Sequence, residues 1–367
     1  ASPLPARYRT GARRCYTGCP ADPTVRCCLR VLVVTLSSLG DIVHTLPAIT
    51  DAARASPGLR FDWAVEEAFA EIPDWHPAVD RVIPVALRRW RRRPWRDFRG
   101  PEWRAAVAAL RARPYTALID AQGLLKSAFI ARLVDAPRYG MDWSSAREPL
   151  ATLSYHHRLR VPRRMHAIDR LRRLFAGSLS YPLPDSEVDY GLPDAMVAAP
   201  GDSPQRLLFL HGTAREEKLW PVGHWIDLAR RAIGAGFEVA LPWGDATEQR
   251  RAQAIADGVP AAGGPHVVVL PRLDLAALAG QLREAAAVVA VDTGLGHLAA
   301  ALGAPTVSLY GPTDPERIGT VGPRQVRVVP SPGAGSMAAI EPARVWQGTQ
   351  SLMWDGSLRG GAVVAGH

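Results

Sequence analysis

Beyond Cys28 the 367-residue chain contains no cysteine: Cys15, Cys19, Cys27 and Cys28 all lie in the first 28 residues. That distribution argues against a disulfide framework for the folded part. The four spacings are irregular and no His lies near them, which argues against a zinc site. Residues 1–28 also lack the apolar core of a signal peptide and read as a disordered extension. No uninterrupted apolar run reaches the roughly 18 residues that a membrane span requires, so a soluble or peripheral protein is expected. No cluster of His, Cys or carboxylates has metal-ligand spacing, and nothing in the sequence calls for a metal or a cofactor. Asp292-Thr293-Gly294 matches the aspartic-protease triplet but occurs once, without the second copy that a shared-proton carboxylate pair needs.

Lysine is nearly missing as well. Of 44 basic side chains only Lys126 and Lys218 are lysine. An ammonium is a compact point charge and a guanidinium a planar fork, so a lysine retained in an arginine-rich chain can mark a place where the exchange is not neutral, such as a diphosphate. The net charge of +9 is concentrated: between Arg81 and Arg113 eleven Arg face only Asp97 and Glu102. Within that block Arg88-Arg89-Trp90-Arg91-Arg92-Arg93 is followed by Trp95, Phe98 and Trp103. Arg mixed with interfacial aromatics suits anionic headgroups or phosphates, and a solvated loop is the plainer reading. The block is not organised as a recognisable nucleic-acid module, so no nucleic-acid partner is expected.

What the chain does have is hydrophobic content of 47% and length for about two domains on a prior of ~150 residues each. Strand-like runs at Arg30–Thr35, Phe61–Val65, Arg81–Val85 and Ala117–Asp120 alternate with helical patterns at 42–54 and 102–111. Regular periodicity fades at 176–205, read as a linker. A second alternating series follows, with strands at 206–210, 238–241, 267–270, 287–291 and 306–310 and helices at 222–234, 247–257 and 275–283. Two α/β domains with parallel sheets are expected, over 29–175 and 206–335, then a C-terminal helix within 336–354 and a loose tail over 355–367.

In an open parallel sheet, ligands bind beyond the carboxyl ends of the strands. Asp41, Asp120, His211, Trp243 and Asp292 all stand at such ends and are expected to converge on one cleft. Val288–Pro315 reads strand, glycine loop, helix opening at His297, strand; loop amides and a helix terminus there suit a phosphate. Asp41 is either a helix-terminal cap or a base that takes a proton from a sugar hydroxyl. Lys218 is an exposed loop lysine or the counterion of a diphosphate. Glu248 caps a helix or accepts ribose hydroxyls. His297 is a buried structural histidine or lies against a phosphate or leaving group.

The segments Ser37-Ser38-Leu39-Gly40-Asp41 with the following IVHTLPA, FDWAVEEAFAEIP (61–73), DAQGLLKSA (120–128), GMDWSSAREPLA (140–151), LPWGDATEQ (241–249) and VDTGLGHLAAAL (291–302) resemble the lipopolysaccharide heptosyltransferase I family. The resemblance runs from about residue 29 to about residue 352. It implies a GT-B fold, two Rossmann-like α/β/α domains facing across a cleft, with the acceptor domain first and the ADP-heptose domain second. It implies inverting transfer of L-glycero-D-manno-heptose from ADP-L-glycero-D-manno-heptose to the Kdo of Kdo-lipid A, by a cytoplasmic enzyme peripheral on the anionic inner-membrane surface. By matching position, Asp41 is the general base; Thr213, Lys218, Glu248, Asp292, Thr293, Gly294 and His297 bind the donor. Ser38, Gly40, Arg88, Arg89, Arg91, Arg92, Lys126 and Arg147 face the acceptor. Two departures stand out: Thr35-Leu36 where the family usually has Lys-Thr, and Ala214 where a second Thr follows Thr213. The alternatives are another GT-B enzyme, such as a related heptosyltransferase or a nucleotide-sugar epimerase, and a non-enzymatic nucleic-acid-binding protein.

Overall fold

In the computed structural model, which describes residues 29–197, 206–260, 264–331, 333, 335–354 and 362–364, strands and helices alternate almost throughout. The first lobe runs β1 (Arg30–Val34), α1 (Leu39–Ala55), β2 (Arg60–Glu66), α2 (Glu71–Asp74), β3 (Val79–Val85), α3 (Leu87–Trp90), α4 (Pro94–Asp97), α5 (Pro101–Arg111), β4 (Ala117–Asp120), α6 (Leu125–Ala131), β5 (Arg138–Met141), β6 (His157–Leu159) and α7 (Ala167–Leu179). The second runs β7 (Arg206–Leu210), α8 (Val222–Gly234), β8 (Glu238–Leu241), α9 (Ala246–Asp257), β9 (Val267–Val269), α10 (Leu275–Glu284), β10 (Ala287–Val291), α11 (Gly294–Ala301), β11 (Thr306–Leu309), α12 (Pro315–Ile318), β12 (Gln325–Val328), α13 (Pro342–Trp354) and β13 (Ala362–Val364).

All recorded strand pairings are parallel, and β1, β7 and β10 read as nearly unbroken apolar runs because helices cover both faces of each sheet. The strand orders are β3-β2-β1-β4-β5-β6 and, from the other edge, β9-β8-β7-β10-β11-β12-β13. Both are the doubly wound order, so the two GT-B lobes expected from the sequence are present. In each sheet the winding reverses between two neighbours, β1 and β4 or β7 and β10. A crevice opens beyond their carboxyl ends, and these crevices are where the site must be sought.

Helix α1 decides how the lobes meet. From Leu39 to Ala52 every residue but Asp41 is buried. A helix apolar on all sides must be wrapped on all sides, and α1 packs on α7 within its own lobe and on α11 of the other. Its buried polar residues are satisfied internally: Thr45 donates to the Asp41 carbonyl at 2.7 Å, and Asp51 accepts from Arg172 Nε at 2.6 Å. One continuous apolar cluster contains Ile42 and Leu46 together with Leu210, Leu298 and Leu302, so the lobes share a core.

The ends of the basic block are structural. Arg81 and Arg113, with Arg30, surround the fully buried Asp62 of β2 at 2.9, 3.4 and 3.0 Å, and the Tyr115 hydroxyl donates to the same carboxylate at 2.9 Å. Removing that carboxylate would leave the cations uncompensated, a loss of about 3–5 kcal/mol.

Three sequence expectations need correction. Helix α7 continues to Leu179, into the segment read as linker from Ala176. Helix α11 opens at Gly294, so the Asp-Thr-Gly turn is itself the helix start and His297 sits one turn inside. Ala362–Val364, within the tail expected to be loose, pairs with β12. The extension over 1–28 with its four cysteines lies outside the described residues, as do 198–205 of the linker.

Candidate active site

The amino ends of α1 and α11 abut. A methyl group at Gly294 would fall 2.6 Å from Leu39 Cβ and 2.9 Å from the Gly40 nitrogen, and one at Gly40 would fall 3.2 Å from His297 Cδ2. Only glycines permit this approach. Two helix termini, each carrying partial positive charge on free amides, therefore point into one gap between the lobes.

Asp41 stands at that gap on the first-lobe side. It is the third residue of α1, where its Oδ2 accepts the Ser38 backbone N–H at 2.9 Å, half of a capping box. Arg147 grips it with two prongs, Nη2 to Oδ1 at 2.5 Å and Nη1 to Oδ2 at 3.1 Å. The carboxylate side chain remains 17% exposed, so both the cap and an open face are realised. Beside it Lys126 Nζ donates to Ser37 Oγ. Burial, and then the nearby Arg88 charge, lower the Lys126 pKa, while Asp41 and Glu66 act in the opposite sense.

On the second-lobe side Lys218 Nζ meets Asp292 Oδ2 at 2.6 Å, with both side chains largely buried. Thr213 Oγ1 donates to the Asp292 carbonyl at 3.2 Å. His297 lies with Nε2 4.0 Å from Asp292 Oδ1 and Nδ1 3.1 Å from His44 Nε2. Burial pushes the His297 pKa down to about 4, so the ring is neutral near pH 7. Glu248 is not the cap of α9. Asp245 is, accepting the Thr247 and Glu248 amides at 2.8 and 2.9 Å. One Glu248 oxygen accepts the Gly244 N–H at 2.7 Å; the other lies over Gly212, where an added methyl would come within 2.3 Å.

Two cavities adjoin along this line. One, of about 460 Å³, is lined by Leu39 and Phe69 from the first lobe and by Trp243, Glu248, Leu275 and Thr293 from the second. Its apolar walls and single carboxylate suit a nucleoside. The other, of about 530 Å³, gathers Arg147, Arg163 and Arg170 with Arg215, Lys218 and Arg317 and suits anionic groups. Asp292 and Lys218 lie where the two meet.

Asp120 and His211 do not join the cleft as expected. Asp120 is fully buried in its own lobe, accepting from Tyr155 Oη at 2.7 Å and from the Gln122 and Gly123 amides at 2.9 and 3.0 Å. Burial raises its pKa, against those hydrogen bonds. The His211 side chain is enclosed near Trp225, and burial lowers its pKa to about 4. Trp243 does line the first cavity, its Nε1 donating to the Leu270 carbonyl at 2.7 Å.

Within the basic segment, Arg89 is taken up by Glu67 and Glu102 at 3.0 and 2.6 Å, and the Arg88 guanidinium lies 5.5 Å from the Phe69 ring centroid. Arg91 and Arg92 are exposed. Thr35 and Leu36, the first family departure, are fully buried under the first lobe. The sequence reading missed His44, His166, Arg163, Arg170 and Arg317. The one available signal among the missed cavity residues was Arg215, adjacent to the Lys218 motif. Among the described residues, no group of three or more His, Cys or carboxylates could hold a metal ion.

The sequence profile of glycosyltransferase family 9 (heptosyltransferase) matches residues 103–336. Lipopolysaccharide heptosyltransferase 1 of Pseudomonas aeruginosa is 54% identical over 301 residues, covering 82% of this chain and 83% of that protein. A solved structure of the E. coli heptosyltransferase WaaC with ADP superposes with a TM-score of 0.80 at 44% identity, covering 88% of this chain and all of that one. A second structure of that protein, with ADP-2-deoxy-2-fluoro heptose, gives 0.77 at 43% identity, over 88% and 99% of the two chains.

Proposed function

Because the chain belongs to glycosyltransferase family 9, the heptosyltransferases, we propose that it moves L-glycero-D-manno-heptose from ADP-heptose to the Kdo of Kdo-lipid A, with inversion, in lipopolysaccharide inner-core synthesis. The observation that carries this reading is the meeting of α1 and α11 at Gly40 and Gly294, which sets Asp41 and the Lys218–Asp292 pair on the two sides of one gap.

The adenosine occupies the apolar cavity, its ribose hydroxyls donating to the open oxygen of Glu248. The diphosphate spans the start of α11, where the amides around Gly294, the Lys218 ammonium and Arg215 face it. The acceptor enters from the first lobe. Its carboxylates and phosphates are drawn by Arg147, Lys126, Arg88 and the exposed Arg91 and Arg92, and a Kdo carboxylate takes over part of the Arg147 fork.

Asp41, thereby relieved of one prong, accepts the acceptor hydroxyl proton as that oxygen attacks the anomeric carbon. The bond from that carbon to the β-phosphate oxygen breaks, and the charge on departing ADP is met by Lys218 and the helix terminus. One displacement on the face opposite the leaving group inverts the centre. The acceptor is displayed at the cytoplasmic face of the inner membrane, and the enzyme works there peripherally.

The decisive test is incubation with ADP-heptose and Kdo-lipid A. A mass gain of one heptose, with release of ADP only when the Kdo-bearing acceptor is present, is expected; ADP release independent of that acceptor would overturn the assignment.

A further inference from the structure

Seven large apolar side chains are exposed among the described residues, and five of them, Leu125, Phe129, Trp143, Leu150 and Leu153, fall within 29 positions of the first lobe. Leu125 and Phe129 lie four residues apart on α6, hence on one face of it. Leu150 and Leu153 lie three apart on the 3-10 turn Pro149–Ser154, where that spacing eclipses. The two elements are one unit: Ala128, Ala151 and Tyr155 pack between them, and the Leu125 amide donates to Glu148 at 2.6 Å. Small residues inside and large ones outside is the reverse of what a free surface needs, and contiguous exposed apolar area marks an interaction site.

The surroundings indicate what covers it. Arg158 and Arg138 donate to the Thr152 and Ser154 carbonyls at 3.0 and 2.7 Å, and exposed Arg132 follows α6, so cations rim the apolar unit. Phe129 stacks on Trp103 with centroids 5.8 Å apart, joining the unit to the Arg88–Arg93 segment through aromatics. Lys126, on the same helix, reaches Ser37 beside the gap. No helix among the described residues is long and apolar enough to cross a membrane.

We infer that Leu125, Phe129, Leu150 and Leu153 form a wedge that inserts into the interfacial layer of an anionic phospholipid bilayer, with Arg132, Arg138 and Arg158 seated on the headgroups. This rests on the lipid-borne acceptor proposed above and adds to it a second, apolar contact distinct from the Arg88–Arg93 segment. Apolar chains ringed by arginine are what an anionic interface holds, whereas the core of a protein–protein interface is depleted of charge. Insertion here would set α6 at the bilayer, so a lipid-anchored sugar would enter the gap past Lys126.

The test uses the full chain with all four residues changed to Gln, and vesicles of phosphatidylethanolamine and phosphatidylglycerol. Because these side chains are exposed, the variant should keep the wild-type melting temperature. The vesicle-bound fraction should fall by about tenfold or more, and the wild-type binding that persists in high salt should vanish. KM for vesicle-embedded Kdo-lipid A should rise, while transfer to a deacylated, water-soluble Kdo acceptor stays unchanged. Wild-type flotation by the variant overturns the wedge. So does a variant that floats normally but sediments as a smaller species, which would make the surface a self-association face. If neither acceptor is glycosylated by wild type, the proposed reaction falls while the flotation result still decides the wedge.

Discussion

His44 Nε2 and His297 Nδ1 lie 3.1 Å apart, joining α1 to α11 across 253 residues and between the two lobes. Both rings are buried, and a third, His166, stands edge-on 6.0 Å from His44 while its Nε2 donates to the Gly319 carbonyl at 2.9 Å. Burial lowers the pKa of all three, so the pair is a hydrogen bond between neutral imidazoles, one donating and one accepting. The Asp292 carboxylate 4.0 Å from His297 Nε2 favours the proton on that nitrogen. His297 Nδ1 is then the acceptor and His44 the donor, which makes His44 a positioning residue for a ring at the start of the donor site.

His44→Ala should therefore raise the KM for ADP-heptose more than the KM for acceptor, since His297 loses the partner that sets its tautomer. Leaving that buried nitrogen unsatisfied costs about 1–3 kcal/mol in stability. His44→Gln retains an amide donor and should recover part of the donor KM. Steady-state kinetics on both substrates checks this; equal effects on the two KM values, with no recovery by Gln, would reduce His44 to packing.

Asp41→Asn removes the proton acceptor but keeps the side chain's shape and an oxygen for Arg147. Turnover should fall by about a hundred- to ten-thousand-fold, with ADP affinity by calorimetry near wild type. Transfer at close to the normal rate would remove Asp41 from the chemistry.

Lys218→Ala leaves the Asp292 carboxylate, 6% exposed, without its ammonium. Losing one partner of a buried pair costs up to about 3–5 kcal/mol, so the melting temperature should drop. The stabilisation that ADP confers on wild type should shrink further. Lys218→Arg should restore the first effect better than the second, because a planar fork replaces a point charge against the diphosphate. An undiminished ADP-induced shift in the Ala variant would mean that Lys218 serves only Asp292.

The two lobes could be read from the chain because parallel strands buried on both faces are written as unbroken runs such as Val31–Val34 and Ala287–Val291. The sheet-reversal rule then points to the loops holding Asp41 and Lys218. Other features depend on three-dimensional contacts that no spacing encodes. Asp120 ends a strand as Asp292 follows one, yet Tyr155 from a distant turn captures it. The basic cavity draws Arg163, Arg170 and Arg317 from segments far apart in sequence, where each resembles any surface arginine. The exposed apolar unit on α6 and the Pro149–Ser154 turn is hidden for a related reason: alternation shows which residues are apolar, but not that two small alanines hold two short elements together with their large residues outward.

Stability should fall on mild acidification, and His76 allows the sign to be worked out. Its Nδ1 accepts the Ala78 amide at 3.1 Å. Thr50 Oγ1 lies 3.0 Å from Nε2 and itself donates to the Leu46 carbonyl at 3.2 Å, so Nε2 carries the proton and the ring is neutral. Burial lowers the His76 pKa from 6.5 to about 4. Between those values the unfolded chain holds a proton that the folded one does not, so the contribution is fully present above the unfolded pKa and is lost as pH falls toward the folded one. Each such histidine removes about 2 kcal/mol between about pH 6.5 and about pH 5, and His211, also lowered to about 4, acts in the same direction. Urea melts at about pH 7 and about pH 5 should show this loss. His76→Gln, which keeps a donor for Thr50 but cannot titrate, should lose less than wild type over the same interval. An equal loss in the variant, with the His76 ring signals of wild type titrating near 6.5 by NMR, would show that the ring is not held neutral by burial.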